Sequence, residues 1–352
     1  MSNQTCRNFS KKRVNKSGSF LARNTTGIEN ESEFDENLEI FNDWRALHSY
    51  PMNIIYMNLN RRIKKLKIQD AIIVQRLKRS PSILNKLNRF KDMQLSRMQD
   101  IGGVRIIVKK ISDIYKIRDD INNAFPHKIC YEKNYINNPK EDGYRCLHMI
   151  FEIKNLNDEK FNGLNIELQI RTELQHQWAT AVEILGLYKN VSYKSGLGDE
   201  RTREFLCLCS NLFASSENTP IDEKYYGRNL FQELKNLNDE LNILDYLRGL
   251  TVAVNHHNKI NNGNNNKFCL ILLKLDESML NLWSFRNVTD AKKQYENLEK
   301  EITRGNKNWD VVLVSIDQMK SLQKAYPNYY LDSKSFVKKI ESFIAKANRS
   351  EQ

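Results

Sequence analysis

No run in the 352-residue chain approaches the ~18 apolar residues of a membrane-spanning helix, which excludes a transmembrane reading and a membrane partner. The opening MSNQTCRNFSKKRVNKSGSF has no apolar core, so it does not read as a secretory signal. Cysteine is sparse and scattered: Cys6, Cys130, Cys146, Cys207, Cys209 and Cys269 make no disulfide framework and fit a reducing cytoplasm. Cys207-x-Cys209 lacks a second pair, and His256 and His257 sit in polar sequence, so no zinc site is expected. What the chain has in excess is positive charge, 55 Lys+Arg against 43 Asp+Glu, a formal net charge of +12. Nucleotides or nucleic acid suit that balance, and so does a basic tail with solvated lysines. Hydrophobic residues make up 40%, ordinary for a globular protein, and the length accommodates two or three domains.

Residues 1–28 are rich in Asn, Ser, Thr and Lys and read as disordered. After acidic residues from Glu29 to Glu39, the spacing of Ile40, Phe41, Trp44, Leu47, Ile54, Ile55, Leu59 and Ile63 predicts one or two amphipathic helices broken at Pro51. Strands are expected over 70–78, 104–108, 127–135, 146–153 and 164–170. Helices are expected over 80–87, with Ser80 as N-cap and Pro81 in the first turn, over 111–125, and from Thr172 to about Tyr188. Along 164–171, Leu164, Ile166, Leu168 and Ile170 alternate with Asn165, Glu167, Gln169 and Arg171, a strand with one apolar and one polar face. The middle of the chain therefore predicts an α+β fold, a mixed sheet of about five strands flanked by helices. Beyond it come a helix over 200–216, a long polar helix over 223–249, an Asn-rich linker over 255–267, and a β-β-α-β-α tail. The corresponding domains are a tail (1–34), a core domain (35–216), a helical connector and linker (217–262) and a small α/β accessory domain (263–352).

The densest chemistry lies in RLKRSPSILNK, residues 76–86. Arg76 and Lys78 share one strand face, Ser82 and Lys86 share one helix face, and the helix start offers free N–H groups to an anion. These parts could surround one polyphosphate, although the pattern alone more readily describes a solvated basic helix. Asp100 precedes the pair Gly102-Gly103, and Arg105 heads a buried strand. The turn Asp142-Gly143 exposes Tyr144 as a stacking surface for a base. Asp100 and Glu167 could hold Mg²⁺, which is usually bound by one or two carboxylates plus substrate phosphates.

Four pieces, R-x-K-x3-S-I-x2-K, D-I-x-G-x-R, G-Y-R-x-L-H and E-x-Q-I-R-T, follow one another in this order. Over roughly residues 40–215 the chain thereby resembles the RelA/SpoT alarmone synthetase domain, in its single-domain small or toxin-like type. The long members carry a hydrolase domain with a His-Asp motif. This chain has no His-Asp dipeptide, so hydrolase activity is not expected. The resemblance implies a nucleotidyltransferase-like core and GTP/GDP diphosphokinase activity, the transfer of the β,γ-pyrophosphate of ATP to the 3′-hydroxyl of GDP or GTP with release of AMP. It implies that Arg76 and Arg105 sandwich the adenine and that Lys78, Ser82 and Lys86 hold the phosphates of ATP. Asp100 would bind Mg²⁺, for which Mn²⁺ could substitute, and Glu167 would be second metal ligand, general base, or both. Tyr144 would stack on the acceptor guanine, with His148, Gln169, Arg171 and His176 also on the acceptor side. Some toxin-like members modify the 3′-CCA end of tRNA and others use adenine nucleotides. The tRNA acceptor is therefore the alternative to GDP/GTP, and a homo-oligomer is left open.

Overall fold

Five stretches pair into one sheet, β1 (Ile72–Leu77), β2 (Gly102–Val108), β3 (Lys128–Asn134), β4 (Leu147–Glu152) and β5 (Asn165–Thr172), with β-branched residues concentrated in β1, β2 and β5. The computed structural model describes residues 10–24, 31–154, 156–189, 191–193, 196–249, 266–274, 279–305, 309–315 and 329–350. Strand order is β1-β2-β5-β4-β3, with β2 and β5 parallel and the other neighbours antiparallel. The fold is α+β with a mixed five-stranded sheet, as the alternation predicts. By its contacts the chain divides into two units, residues 1–135 with 146–173, and residues 136–145 with 174–352.

In the first unit, α1 (Lys11–Arg23), α2 (Glu31–Leu47) and α3 (Ser49–Lys65) precede the sheet, α4 (Ser80–Arg89) follows β1, and α5 (Ile111–Ala124) follows β2. Helices α3 and α5 pack on the sheet. They supply Ile55, Leu59, Ile114, Ile117 and Ile121, all fully buried at helical spacing, against Val104, Ile106, Ile166, Leu168 and Ile170. Each such side chain contributes about 1.5–3 kcal/mol by leaving water. The apolar half of the alternation is consumed here, which leaves the polar half free to build a site.

Three local expectations need correction in this unit. Residues 11–23, read as disordered, form α1, with Ser10 capping it by accepting from the Arg13 amide. The buried face is Val14, Ser17, Gly18, Leu21 and Ala22. Only two of these are large and apolar, so composition hid a face whose spacing is nonetheless helical. The helix break falls at His48 rather than Pro51. Pro51 sits in the first turn of α3, where a missing N–H costs no hydrogen bond. The N-cap of α4 is Arg79, not Ser80, and Pro81 follows inside the first turn. Residues 1–9 and 25–30 of the expected tail lie outside the described residues.

The second unit contains α6 (Glu173–Lys189), α7 (Glu200–Ser216), α8 (Leu230–Leu241), α9 (243–249), β6 (Phe268–Lys274), β7 (Met279–Phe285), α10 (Val288–Gly305), β8 (Trp309–Ser315) and α11 (Tyr329–Ser350). Strands β7-β6-β8 form an antiparallel sheet. One cluster joins Trp178, Phe205, Phe213, Leu234, Ile271 and Phe336, so α6, α7, α8, β6 and α11 share a core. A boundary at 216/217 would cut through that core, and the division falls at 173/174 instead. The long helix expected over 223–249 is interrupted. A 3-10 turn spans Glu223–Tyr225, Asn229 caps α8, and Asn242 adopts a left-handed φ of 52° that ends it. Asparagine tolerates that conformation better than most residues. The linker residues 255–265 lie outside the described residues. Among the described residues no helix is long and apolar enough to cross a membrane.

Candidate active site

Register places the polar residues in two adjacent rows across the sheet. In one, Arg76 pairs with Gly103, Gly103 with Glu167, Glu167 with Ile150 and Ile150 with Tyr131. In the next, Val74 pairs with Arg105, Arg105 with Gln169, Gln169 with His148 and His148 with Lys133. Paired residues point to the same face, so Arg76, Arg105, His148, Glu167 and Gln169 all project from the side opposite the apolar face. Gly103 keeps the floor low. A Cβ there would lie 3.7 Å from the Glu167 carbonyl oxygen and 4.0 Å from Glu167 Oε2, so a longer side chain would cover the carboxylate.

The run 76–86 and the residues before β2 meet at Asp100. Lys78 Nζ donates to Asp100 Oδ2 at 2.8 Å, and Lys86 Nζ to the same oxygen at 3.0 Å. Burial opposes the charge on Asp100, but the two ammonium groups outweigh it and hold its carboxyl below the usual range. The other oxygen, Oδ1, is buried without a hydrogen-bond partner. Ser82 lies half-buried on α4, one turn before Lys86, and Arg76 is exposed.

Glu167 has partners on both oxygens. His148 Nδ1 lies 3.0 Å from Oε1, and Gln169 Nε2 donates to Oε2 at 2.9 Å. Gln169 Oε1 in turn accepts from Arg105 Nε at 3.2 Å. Burial pushes against ionisation of Glu167, yet the His148 imidazolium keeps its carboxyl below the ordinary range. Burial opposes charge on His148, but Cys146 and then the Glu167 carboxylate outweigh it and raise its imidazole to about 9. Glu167 is thus an ionised carboxylate at neutral pH, held in a fixed orientation.

Asp100, Glu167, Lys86 and His148 line one cavity of about 170 Å³. Two carboxylates there, one with an unpartnered oxygen, fit the way Mg²⁺ is held, by few protein ligands completed by substrate phosphates and water. Among the described residues no group of three or more His, Cys, Asp or Glu could hold a metal by itself. Arg97 and Tyr131 also line the cavity, and sequence reasoning missed both. A register shift between Ile129 and Tyr131 resets the alternation of β3, so no simple pattern marks Tyr131 as site-facing.

Arg171, expected on the acceptor side, is only 1% exposed, so its guanidinium is enclosed. Tyr144 and His176 belong to the second unit. His176 is 7% exposed on α6. Tyr144 is half-buried at a turn in which its amide donates to Asp142 Oδ1 at 2.9 Å, and Lys140 Nζ lies 5.0 Å from its ring centre. Its neighbour Arg145 is 3% exposed and donates to Ile136 O, Pro220 O, Ser210 Oγ and Asn211 Oδ1. Burial pulls its guanidinium down to about 10, and Glu217 and Asp222 oppose that shift, so it stays charged at neutral pH. Ser210 Oγ donates to Gly143 O at 2.5 Å, completing a clasp between the loop 136–145 and α7. Gly143 has φ +87°, and an added Cβ would come within 3.2 Å of Ser210 Cβ and 3.3 Å of Cys207 Cα. Gly143→Ala is expected to lower the thermal midpoint by several degrees, since it combines an unfavourable backbone conformation with a clash. A midpoint equal to that of the unaltered chain in a thermal melt would contradict this.

Comparison with known proteins bears on the same segment. Residues 75–196 match the family model described as the region found in RelA / SpoT proteins. The chain is 38% identical over 111 residues to the GTP pyrophosphokinase YwaC of Bacillus subtilis, covering 30% of this chain and 52% of that protein. It is 31% identical over 140 residues to GTP pyrophosphokinase YjbM of the same organism, covering 38% and 64%. A GTP pyrophosphokinase of Haemophilus influenzae is 32% identical over 129 residues, 16% of its length. The chain thus spans about half to under two thirds of the two Bacillus relatives and a small part of the Haemophilus one. Among solved structures, small alarmone synthetase 1 of Bacillus subtilis bound to its product pppGpp is 23% identical with a TM-score of 0.45, covering 51% of this chain and 93% of that one. Residues 75–196 thus match the region that the RelA / SpoT family model describes.

Proposed function

We propose that this chain transfers the β,γ-pyrophosphate of ATP to the 3′-hydroxyl of GDP or GTP, making (p)ppGpp and AMP. One observation carries the reading. Asp100, bridged by the two lysines of the 76–86 run, and the oriented, ionised Glu167 line the same cavity. The names of the relatives agree with it. In this reading Lys78, Ser82 and Lys86 hold the phosphates. Arg76 and Arg105, diagonal neighbours on adjacent strands, stand roughly 7–8 Å apart at their Cα atoms, room for a base between guanidinium planes. Asp100 and Glu167 would hold Mg²⁺, which supplies charge neutralisation on the phosphate oxygens when bound.

The acceptor 3′-oxygen attacks the β-phosphorus. The bond from that phosphorus to the oxygen bridging the α-phosphate breaks, and AMP departs on that oxygen. Such a transfer asks for alignment and charge stabilisation rather than covalent help from the protein. Glu167 accepts the 3′-hydroxyl proton, while His148 and Gln169 fix its orientation. Tyr144 and His176 keep the acceptor-side role that the resemblance implies. Arg171, being enclosed, would act on β5 rather than on the nucleotide.

The His148–Glu167 pair has a pH consequence. Without the imidazolium, the burial of Glu167 dominates and its carboxyl rises. His148→Gln keeps a hydrogen-bond donor but removes the charge. The acid limb of the rate profile should therefore move to higher pH, with activity retained on the alkaline side. An acid limb at an unchanged pH would contradict the pairing as the source of the low value. The overall activity is tested by incubating the purified chain with ATP and, separately, GDP, GTP or bulk tRNA. AMP should appear with GDP or GTP present. AMP formation with tRNA alone would overturn the acceptor.

A further inference from the structure

Helix α1 lies outside the segment 75–196, and its contacts converge on one place. Its face Val14, Ser17, Gly18, Leu21 and Ala22 packs against α2, α4 and the 3-10 turn Leu95–Arg97. Gly18 brings the two backbones close. A Cβ there would meet Leu95 Cβ at 2.8 Å and Leu87 Cδ1 at 3.3 Å. Asn15 clasps the chain just beyond. Its Oδ1 accepts from the Ser96 amide at 2.8 Å, and its Nδ2 donates to Gln94 Oε1 at 3.1 Å.

The segment so held is the one that carries the phosphate-binding side chains. Ser82 and Lys86 are on α4, Leu95 is fully buried beneath α1, and Asp100 follows Ser96 by four residues. Left alone, this segment has little to fix it. Helix α4 has ten residues and buries only Ile83 and Leu87, and residues 90–101 contain no regular element beyond one 3-10 turn. A helix that short is marginal without a packing partner. A lysine displaced by about an ångström loses most of its value in aligning a phosphate.

We propose that α1 is a strut that positions the 80–100 segment for ATP, with Asn15 and Gly18 as its positioning residues. Neither residue lines the cavity; both act through Gln94, Leu95 and Ser96. The proposal rests on the reading of this segment as the ATP half of the site.

The test uses the full chain with Asn15→Ala, Gly18→Leu and Asn15→Asp. Binding of a non-hydrolysable ATP analogue is measured by calorimetry, and KM for ATP and for GDP are measured separately. Asn15→Ala and Gly18→Leu should weaken ATP binding roughly tenfold, with kcat at saturating ATP and KM for GDP close to those of the unaltered chain. Asn15→Asp keeps the acceptor for the Ser96 amide and should recover part of the affinity. Unchanged ATP affinity in Asn15→Ala and Gly18→Leu would overturn the strut, as would a fall in kcat together with a rise in both KM values, which marks general destabilisation. If the unaltered chain binds no ATP analogue, the reading of the segment itself fails, and the strut with it.

Discussion

Glu167→Gln should reduce turnover by roughly 10²–10⁴-fold while leaving the fold intact. The substitution is nearly isosteric, and Gln169 and His148 remain in place to bond the new amide. What disappears is the negative charge. The wild-type carboxylate is desolvated yet ionised because His148 stands 3.0 Å from one oxygen. An amide cannot take the 3′-hydroxyl proton and is a poor metal ligand, so either role of Glu167 is lost. The discriminating comparison is the binding of ATP, which should change little, against kcat, which should collapse. A variant that retains more than about a tenth of wild-type turnover would remove Glu167 from the chemistry.

Arg145→Met should strongly destabilise the second unit. The guanidinium makes four hydrogen bonds at 2.7–3.1 Å, two of them to main-chain carbonyls of Ile136 and Pro220. Methionine fills part of the volume and satisfies none of those acceptors. Removing one side of a buried, charged hydrogen-bonded cluster costs about 3–5 kcal/mol. For a unit of this size that corresponds to a fall of roughly 10 °C in the thermal midpoint. The loop 136–145 carries Tyr144, so a rise in KM for the guanine nucleotide should accompany the loss. A melt within a degree of wild type would show that the clasp contributes nothing.

The site was legible in the sequence where spacing alone fixes direction. Ser82 with Lys86 on a helix, and Glu167 with Gln169 on the polar side of β5, follow from the two periods of regular structure, whereas Lys78 lies one residue past the end of β1, where strand alternation no longer fixes its direction. Which strands lie side by side was not legible, because register is a tertiary outcome. That register puts Arg105 beside Gln169 and His148 across from it. His148 consequently emerges as the partner that sets the charge state of Glu167, a role its place in the G-Y-R-x-L-H motif does not disclose. Helix α1 was hidden for a different reason. Its contact face uses serine and glycine, which signal a loop by composition, while the value of Gly18 here is close approach to Leu95. Arg171 shows the converse. Alternation placed it on the polar face, but burial at the end of β5 encloses it.

In the proposed reaction the pyrophosphoryl group moves as one unit. ATP labelled in both the β- and γ-phosphates, incubated with GDP and the purified chain, tests it most directly. Both labels should appear together on the guanine nucleotide, one of each per molecule, with unlabelled AMP as the other product. Transfer of the γ-label alone, with β-labelled ADP released, would contradict it.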